Sequence, residues 1–217
     1  MSTVAQAQGV GTAEPGTKPG PDPRAVVQPW WLRLFHWINV IAVLALIFSG
    51  WRIYDASPIF DFRFPHEITL GGWLGGALLW HFAAMWLLFA NGLAYLLCNF
   101  ATGRMRARFL PLYPRDVLAD FLAALRGHLA HDDLHRYNAV QKLAYLGAIV
   151  LLLVLVLSGL AIGKSVQLAF LREVMGGYDN ARIVHFFAMA GLVFFVLVHV
   201  AMVALVPRTL LVMIRGR

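Results

Sequence analysis

Ile183–Val206 reads IVHFFAMAGLVFFVLVHVAMVALV, a stretch with no Asp, Glu, Lys or Arg, whose only ionisable side chains are His185 and His199. A helix needs roughly 20 mostly apolar residues to cross the hydrocarbon core of a bilayer, so the stretch predicts a membrane span carrying two imidazoles. At about 1.5 Å and 100° per residue, the 14 residues from His185 to His199 cover about 21 Å and end roughly 40° short of four turns. The two rings therefore share one helix face and lie near opposite membrane surfaces.

Three further stretches qualify as spans, near Trp31–Trp51, Ile68–Cys98 and Val140–Ile162, in a chain of 217 residues that is 60% hydrophobic and 13% charged. These proportions exclude an ordinary soluble domain and predict an all-α membrane protein, a bundle of four transmembrane helices. The formal charge of +7 would suit nucleic acid only if it formed a patch, and it does not. Arg24 and Arg33 precede the first span. Arg104, Arg106, Arg108, Arg115, Arg126, Arg136 and Lys142 fall between the second and third, and Arg208, Arg215 and Arg217 follow the fourth. In the other two connections, Arg52, Arg63, Lys164, Arg172 and Arg182 are balanced by acids. By the positive-inside rule, N and C termini are cytoplasmic, and no nucleic acid is bound. The lone Cys98 and the absence of Cys-x-x-Cys-His exclude a disulfide framework and a covalently held c-type haem. Residues 1–29, rich in Gly, Pro, Ala and Thr, read as a disordered cytoplasmic tail. They have no apolar signal core, so the first helix is expected to target the chain, and residues 30–217 form the helical domain.

The run Ile68–Cys98 is 31 residues long, about 46 Å as a helix against a hydrocarbon core of about 30 Å. Gly71-Gly72-Trp73-Leu74-Gly75-Gly76 suits the interface better than the bilayer centre, which puts the embedded part from about Ala77 onward and His81 in the outer leaflet. Leu118, Phe121, Leu122, Leu125 and Leu129 recur at helical spacing, predicting a short amphipathic helix on the lipid headgroups. The outer loops near Ile53–Glu67 and Gly163–Arg182 offer a docking surface. Leu46-Ile47-Phe48-Ser49-Gly50 and Leu155-Val156-Leu157-Ser158-Gly159 echo one another. Small residues that let helices pack in lipid explain the echo as well as a shared function does.

A lone buried histidine can satisfy itself by hydrogen-bonding a neighbouring helix, but four at matched depths ask for more. His36 lies one turn into the first span, level with His199, and His81 is level with His185. Two imidazoles facing across a bundle are the axial ligands of six-coordinate haem iron, with no position open to oxygen. The reading is therefore two haem b groups, on His36 with His199 and on His81 with His185, carrying electrons. Zinc would need its ligands at one depth. Gly191 would leave room for a flat macrocycle or simply for helix packing. Arg33, Arg52, Lys164 and Arg182 stand where propionates emerge, or snorkel as interfacial cations do. His66 is the alternative to His81. His128, His131 and His135 form either a one-faced cluster or a solvated surface.

His36-Trp37, Trp80-His81, Tyr137-Asn138-Ala139-Val140-Gln141-Lys142 and the His185 to His199 spacing together resemble the di-haem cytochrome b subunits of bacterial quinone-linked enzymes. These are the formate dehydrogenase gamma subunit, the b-type cytochrome of nickel-iron hydrogenases and the bacterial cytochrome b561 group. The resemblance covers about residues 30 to 210. It implies a multi-pass subunit of the bacterial inner membrane, not a complete enzyme alone, passing electrons between a periplasmic oxidoreductase partner and the quinone pool. It places the quinone pocket beside the inner haem at Asn138, with Gln141 and Lys142 as further candidates; a helix cap explains Asn138 equally well. The chain departs from the formate dehydrogenase subunit in lacking an extended C-terminal tail and in carrying the Gly-rich insertion before His81. Its outer loops look closer to those of cytochromes serving periplasmic molybdopterin oxidoreductases. Two other classes compete with this reading: a haem-free transporter or proton channel with a histidine relay, and a passive membrane anchor.

Overall fold

The computed structural model describes residues 28–103 and 139–216, with 113, 115, 116, 119, 120 and 122 between them. Among the described residues every regular element is helical: α1 Trp30–Ala56, a 3-10 turn His66–Ile68, α2 Leu74–Ala101, α3 Ala139–Gly163, α4 Ala169–Val174, α5 Tyr178–Leu205 and α6 Arg208–Arg215. Helices α1, α2, α3 and α5 are each long and apolar enough to span a bilayer, so the four expected spans are present. Their surfaces carry exposed Leu79, Trp86, Phe194 and Leu197. A helix apolar all round with its large side chains outward is built for lipid, where its backbone groups must be paired internally.

The second span shows why a hydropathy run is not yet a helix. Helix α2 starts at Leu74, behind a turn in which Gly71 and Gly72 take φ of 108° and 70°. A Cβ on Gly71 would collide with the backbone of Ala77, and one on Gly76 with the Gly71 carbonyl. Only glycine permits this reversal. The turn is pinned to α1 by Leu70 N–H donating to the Phe48 carbonyl at 3.0 Å, and it holds His66 outside the bundle.

Packing is dense within two antiparallel hairpins, α1 with α2 and α3 with α5, and sparse between them. Both described termini meet at one end of the bundle, called here the termini end; the opposite end is the loop end. At the termini end lies α6, which the sequence reading left as flanking charge. It follows Pro207 and ends on Gly216 in the left-handed conformation at φ 87°, a common helix stop. Arg33 Nη1 donates to the Ile214 carbonyl at 2.6 Å, and Trp37 Nε1 to that of Met213 at 3.4 Å. Cationic and N–H donors thus meet the negative end of the α6 dipole. At the loop end Arg182 donates to the Ser57 carbonyl and, at 3.2 Å, to its hydroxyl, tying the second hairpin to the first.

Outside the described residues lie most of the expected tail, the amphipathic stretch apart from Leu122, the three histidines 128, 131 and 135, and Asn138. Gln28, at the end of that expected tail, is buried, and its N–H reaches the Gly216 carbonyl at 3.4 Å.

Candidate functional site: two facing histidine pairs

Helix α5 supplies one imidazole to each of two layers, as its 14-residue spacing requires. At the termini end His199 faces His36 of α1 with ring centroids 6.2 Å apart and planes at 60°. At the loop end His185 faces His81 of α2 at 6.4 Å, again at 60°. His66 does not compete for this position. It is exposed in the 3-10 turn, with Nε2 3.3 Å from the Gly72 carbonyl.

These separations test whether the residues fit a haem iron between them. Imidazole–metal bonds of about 2.0–2.1 Å, plus about 1.1 Å from ring nitrogen to ring centre, put the centroids of two trans imidazoles about 6.3 Å apart. Both layers meet that value, and both lie across the seam between the hairpins. Among the described residues no cluster of three or more His, Cys, Asp or Glu gathers as a metal site.

The layers are held differently. At the loop end Ser49 Oγ of α1 lies 3.0 Å from His81 Nδ1, and Ser158 Oγ of α3 lies 2.9 Å from His185 Nδ1. The two echoing Ser-Gly segments thus occupy equivalent places, each on the hairpin partner of the helix whose histidine it touches. At the termini end, among the described residues, no side chain hydrogen-bonds either ring. Phe195 stacks on His199 at 5.8 Å and 15°, and Trp37 stands edge-on to His36 at 5.4 Å. Close by, Asn91 Nδ2 of α2 donates to the Phe35 carbonyl at 2.8 Å and to Asn39 Oδ1 at 2.7 Å. This polar clamp escaped the sequence reading; two Asn in apolar runs were its visible signal.

Gly191 serves packing: a Cβ there would stand 3.2 Å from Leu151 Cδ2 on α3, so it lets α3 and α5 approach rather than opening the seam. Among the described residues the buried Arg33 Nε has no hydrogen-bond partner, a donor one turn from His36 that suits a propionate. Arg52 and Arg63 line a cleft of about 330 Å³ at the loop end with Asp55, Phe64 and Trp73. Asp55 there accepts the Phe64 N–H at 2.9 Å. Gln141 and Lys142 are in the first turn of α3, whose Ala139 N–H donates to Asp120 Oδ2 at 2.7 Å. Because Ser158 near the other end of α3 meets the loop-end pair, that first turn is at the termini end, on the side of His36 and His199.

Four apolar helices with histidines facing across their seam suit a membrane electron-transfer subunit carrying b-type haem. The chain belongs to the prokaryotic cytochrome b561 family, whose profile matches residues 27–216, and it is a multi-pass protein of the bacterial inner membrane. It is 62% identical over 190 residues, 88% of this chain and 96% of the relative, to an Azospira oryzae protein with the provisional name protein-methionine-sulfoxide reductase subunit YedZ1. No solved structure matches the chain.

Proposed function

We propose that the chain holds two b haems, one on His36 and His199 and one on His81 and His185, and links a periplasmic oxidoreductase to the quinone pool. The carrying observation is that both histidine pairs stand at the separation of trans axial ligands, 6.2 and 6.4 Å. A b haem held there would supply one-electron transfer. The protein's part is to space the two sites, about 21 Å apart along α5, and to keep water out with apolar walls.

The basic termini and middle connection favour a cytoplasmic termini end. The loop end, with its arginine cleft and aromatic loop residues, then faces the periplasm and the partner. A sulfoxide reductase partner, as the relative's name indicates, would draw electrons outward from quinol, and a molybdopterin enzyme fits the resemblance of the loops. Gln141 and Lys142 in the first turn of α3, with Asn138 preceding that helix in the sequence, form the quinone pocket, where amide and ammonium groups donate hydrogen bonds to quinone oxygens at the aqueous boundary.

Purified protein should contain two low-spin haems per chain by extraction and absorbance. A quinol analogue should reduce them, several-fold more slowly in Gln141→Ala at unchanged haem content. One haem or none in haem-replete cells would overturn the di-haem reading, and an unaltered rate in Gln141→Ala together with Lys142→Ala and Asn138→Ala would overturn the pocket.

A further inference from the structure

The two serines at the loop end are fully buried, and each has three polar neighbours whose roles are fixed by proton count. The Ser49 hydroxyl has a single hydrogen. It lies 2.5 Å from the Ala45 carbonyl and 3.3 Å from that of Leu46, both of which only accept, so the hydrogen is spent on its own helix. Toward His81 the oxygen offers a lone pair, and at 3.0 Å the contact is a hydrogen bond only if Nδ1 carries the proton. Ser158 repeats the arrangement: its hydroxyl donates to Val154 at 2.6 Å, with Leu155 at 3.3 Å and His185 Nδ1 at 2.9 Å. A neutral imidazole with hydrogen on Nδ1 has its free lone pair on Nε2. Both rings are thereby held in the tautomer that offers Nε2 to the seam.

Glycine completes each cradle. A Cβ on Gly50 would stand 3.5 Å from His81 Cε1, and one on Gly159 3.4 Å from His185 Cε1. The backbone beneath each ring is therefore in van der Waals reach, and anything larger than alanine would push the imidazole. Ser-Gly is thus one device used twice, hydroxyl for orientation and glycine for seating. The termini-end rings have stacking partners instead.

Resting on the di-haem reading above, we propose that Ser49 and Ser158 are positioning residues for the loop-end site alone: they fix the Nδ1–H tautomer of His81 and His185 and, through the chain Nδ1–H to hydroxyl to carbonyl, make these two ligands more electron-donating than His36 and His199. Hydrogen-bond acceptors on the far nitrogen raise the basicity of a metal-bound imidazole, and a hydroxyl already donating is a stronger acceptor. A more basic ligand pair favours ferric over ferrous iron. The loop-end site is therefore the lower-potential site of the two.

The test is redox titration with EPR on the purified full-length protein. His81→Ala first identifies which of the two signals belongs to the loop end. In Ser49→Ala/Ser158→Ala that signal alone should shift, its midpoint rising by about 59 mV, a tenfold change for one electron, and its g-values changing. Ser49→Thr, which keeps the hydroxyl, should return both toward wild type. Should the double variant lose the loop-end haem, each single variant carries the same readout at roughly half the shift. Unchanged potentials and g-values, or equal shifts at both sites, would overturn the proposal. A wild-type protein without two low-spin haems would instead sink the functional reading beneath it.

Discussion

The loop-end and termini-end layers reach nearly the same centroid separation, 6.4 and 6.2 Å, by different means. The loop-end rings are each gripped by a hydroxyl and a glycine from the neighbouring helix of their own hairpin. The termini-end rings are steadied by Phe195 and Trp37, beside an Asn91–Asn39 clamp and under a short helix docked on Arg33. Facing histidines set the distance between two sites, and their neighbours decide how rigidly each distance is kept.

The sharpest way to break the comparison is to remove one ligand from each layer. His185→Ala and His199→Ala should each lose one haem of two, and a different one, as read by haem content and the surviving EPR signal. Loss of both haems from either variant would mean that the layers fold as one unit. Next in size is Gly159→Val, which places branched atoms against His185. Overpacking of this kind costs about 1–3 kcal/mol, seen as preferential thermal loss of the loop-end haem. Asn91→Ala removes an interhelical hydrogen-bond pair, worth about 0.6 to 1.7 kcal/mol in a membrane protein, and should lower thermal stability with the termini-end site failing first. His66→Ala should leave both haems and their spectra unchanged, since that ring is exposed and its hydrogen-bond contact among the described residues is the Gly72 carbonyl.

The shared face of His185 and His199 was legible because rise and rotation along a helix are fixed, and a 14-residue interval on one span leaves little choice. His81 against His66 was not, because both lie in or beside one apolar run, and the choice depends on where the chain stops being helix. The positive φ of Gly71 and Gly72 decides that, and a hydropathy count does not register it. The Ser-Gly segments were visible as an echo, yet a hydrogen bond to a residue 32 or 27 positions away depends on which helices become neighbours. Helix α6 was hidden by brevity: eight residues after a proline carry too little periodicity to separate from a charged tail. Gly191 stayed between its two readings for the converse reason, since an apolar span does not say whether a glycine faces a helix or a gap.

The sparse packing between the two hairpins has a consequence for how the protein is made. Each hairpin can enter the bilayer as a finished unit; Arg182 on Ser57, α6 on Arg33 and Trp37, and Phe186 against Tyr54, Phe60 and Phe62 then join the two at their ends, and whatever bridges the histidines adds a rivet between those ends. A ligand that binds only the assembled form stabilises it by mass action. In cells short of haem the newly inserted chain should accordingly be held together less firmly and be more open to membrane proteases, so that its abundance follows the cofactor supply.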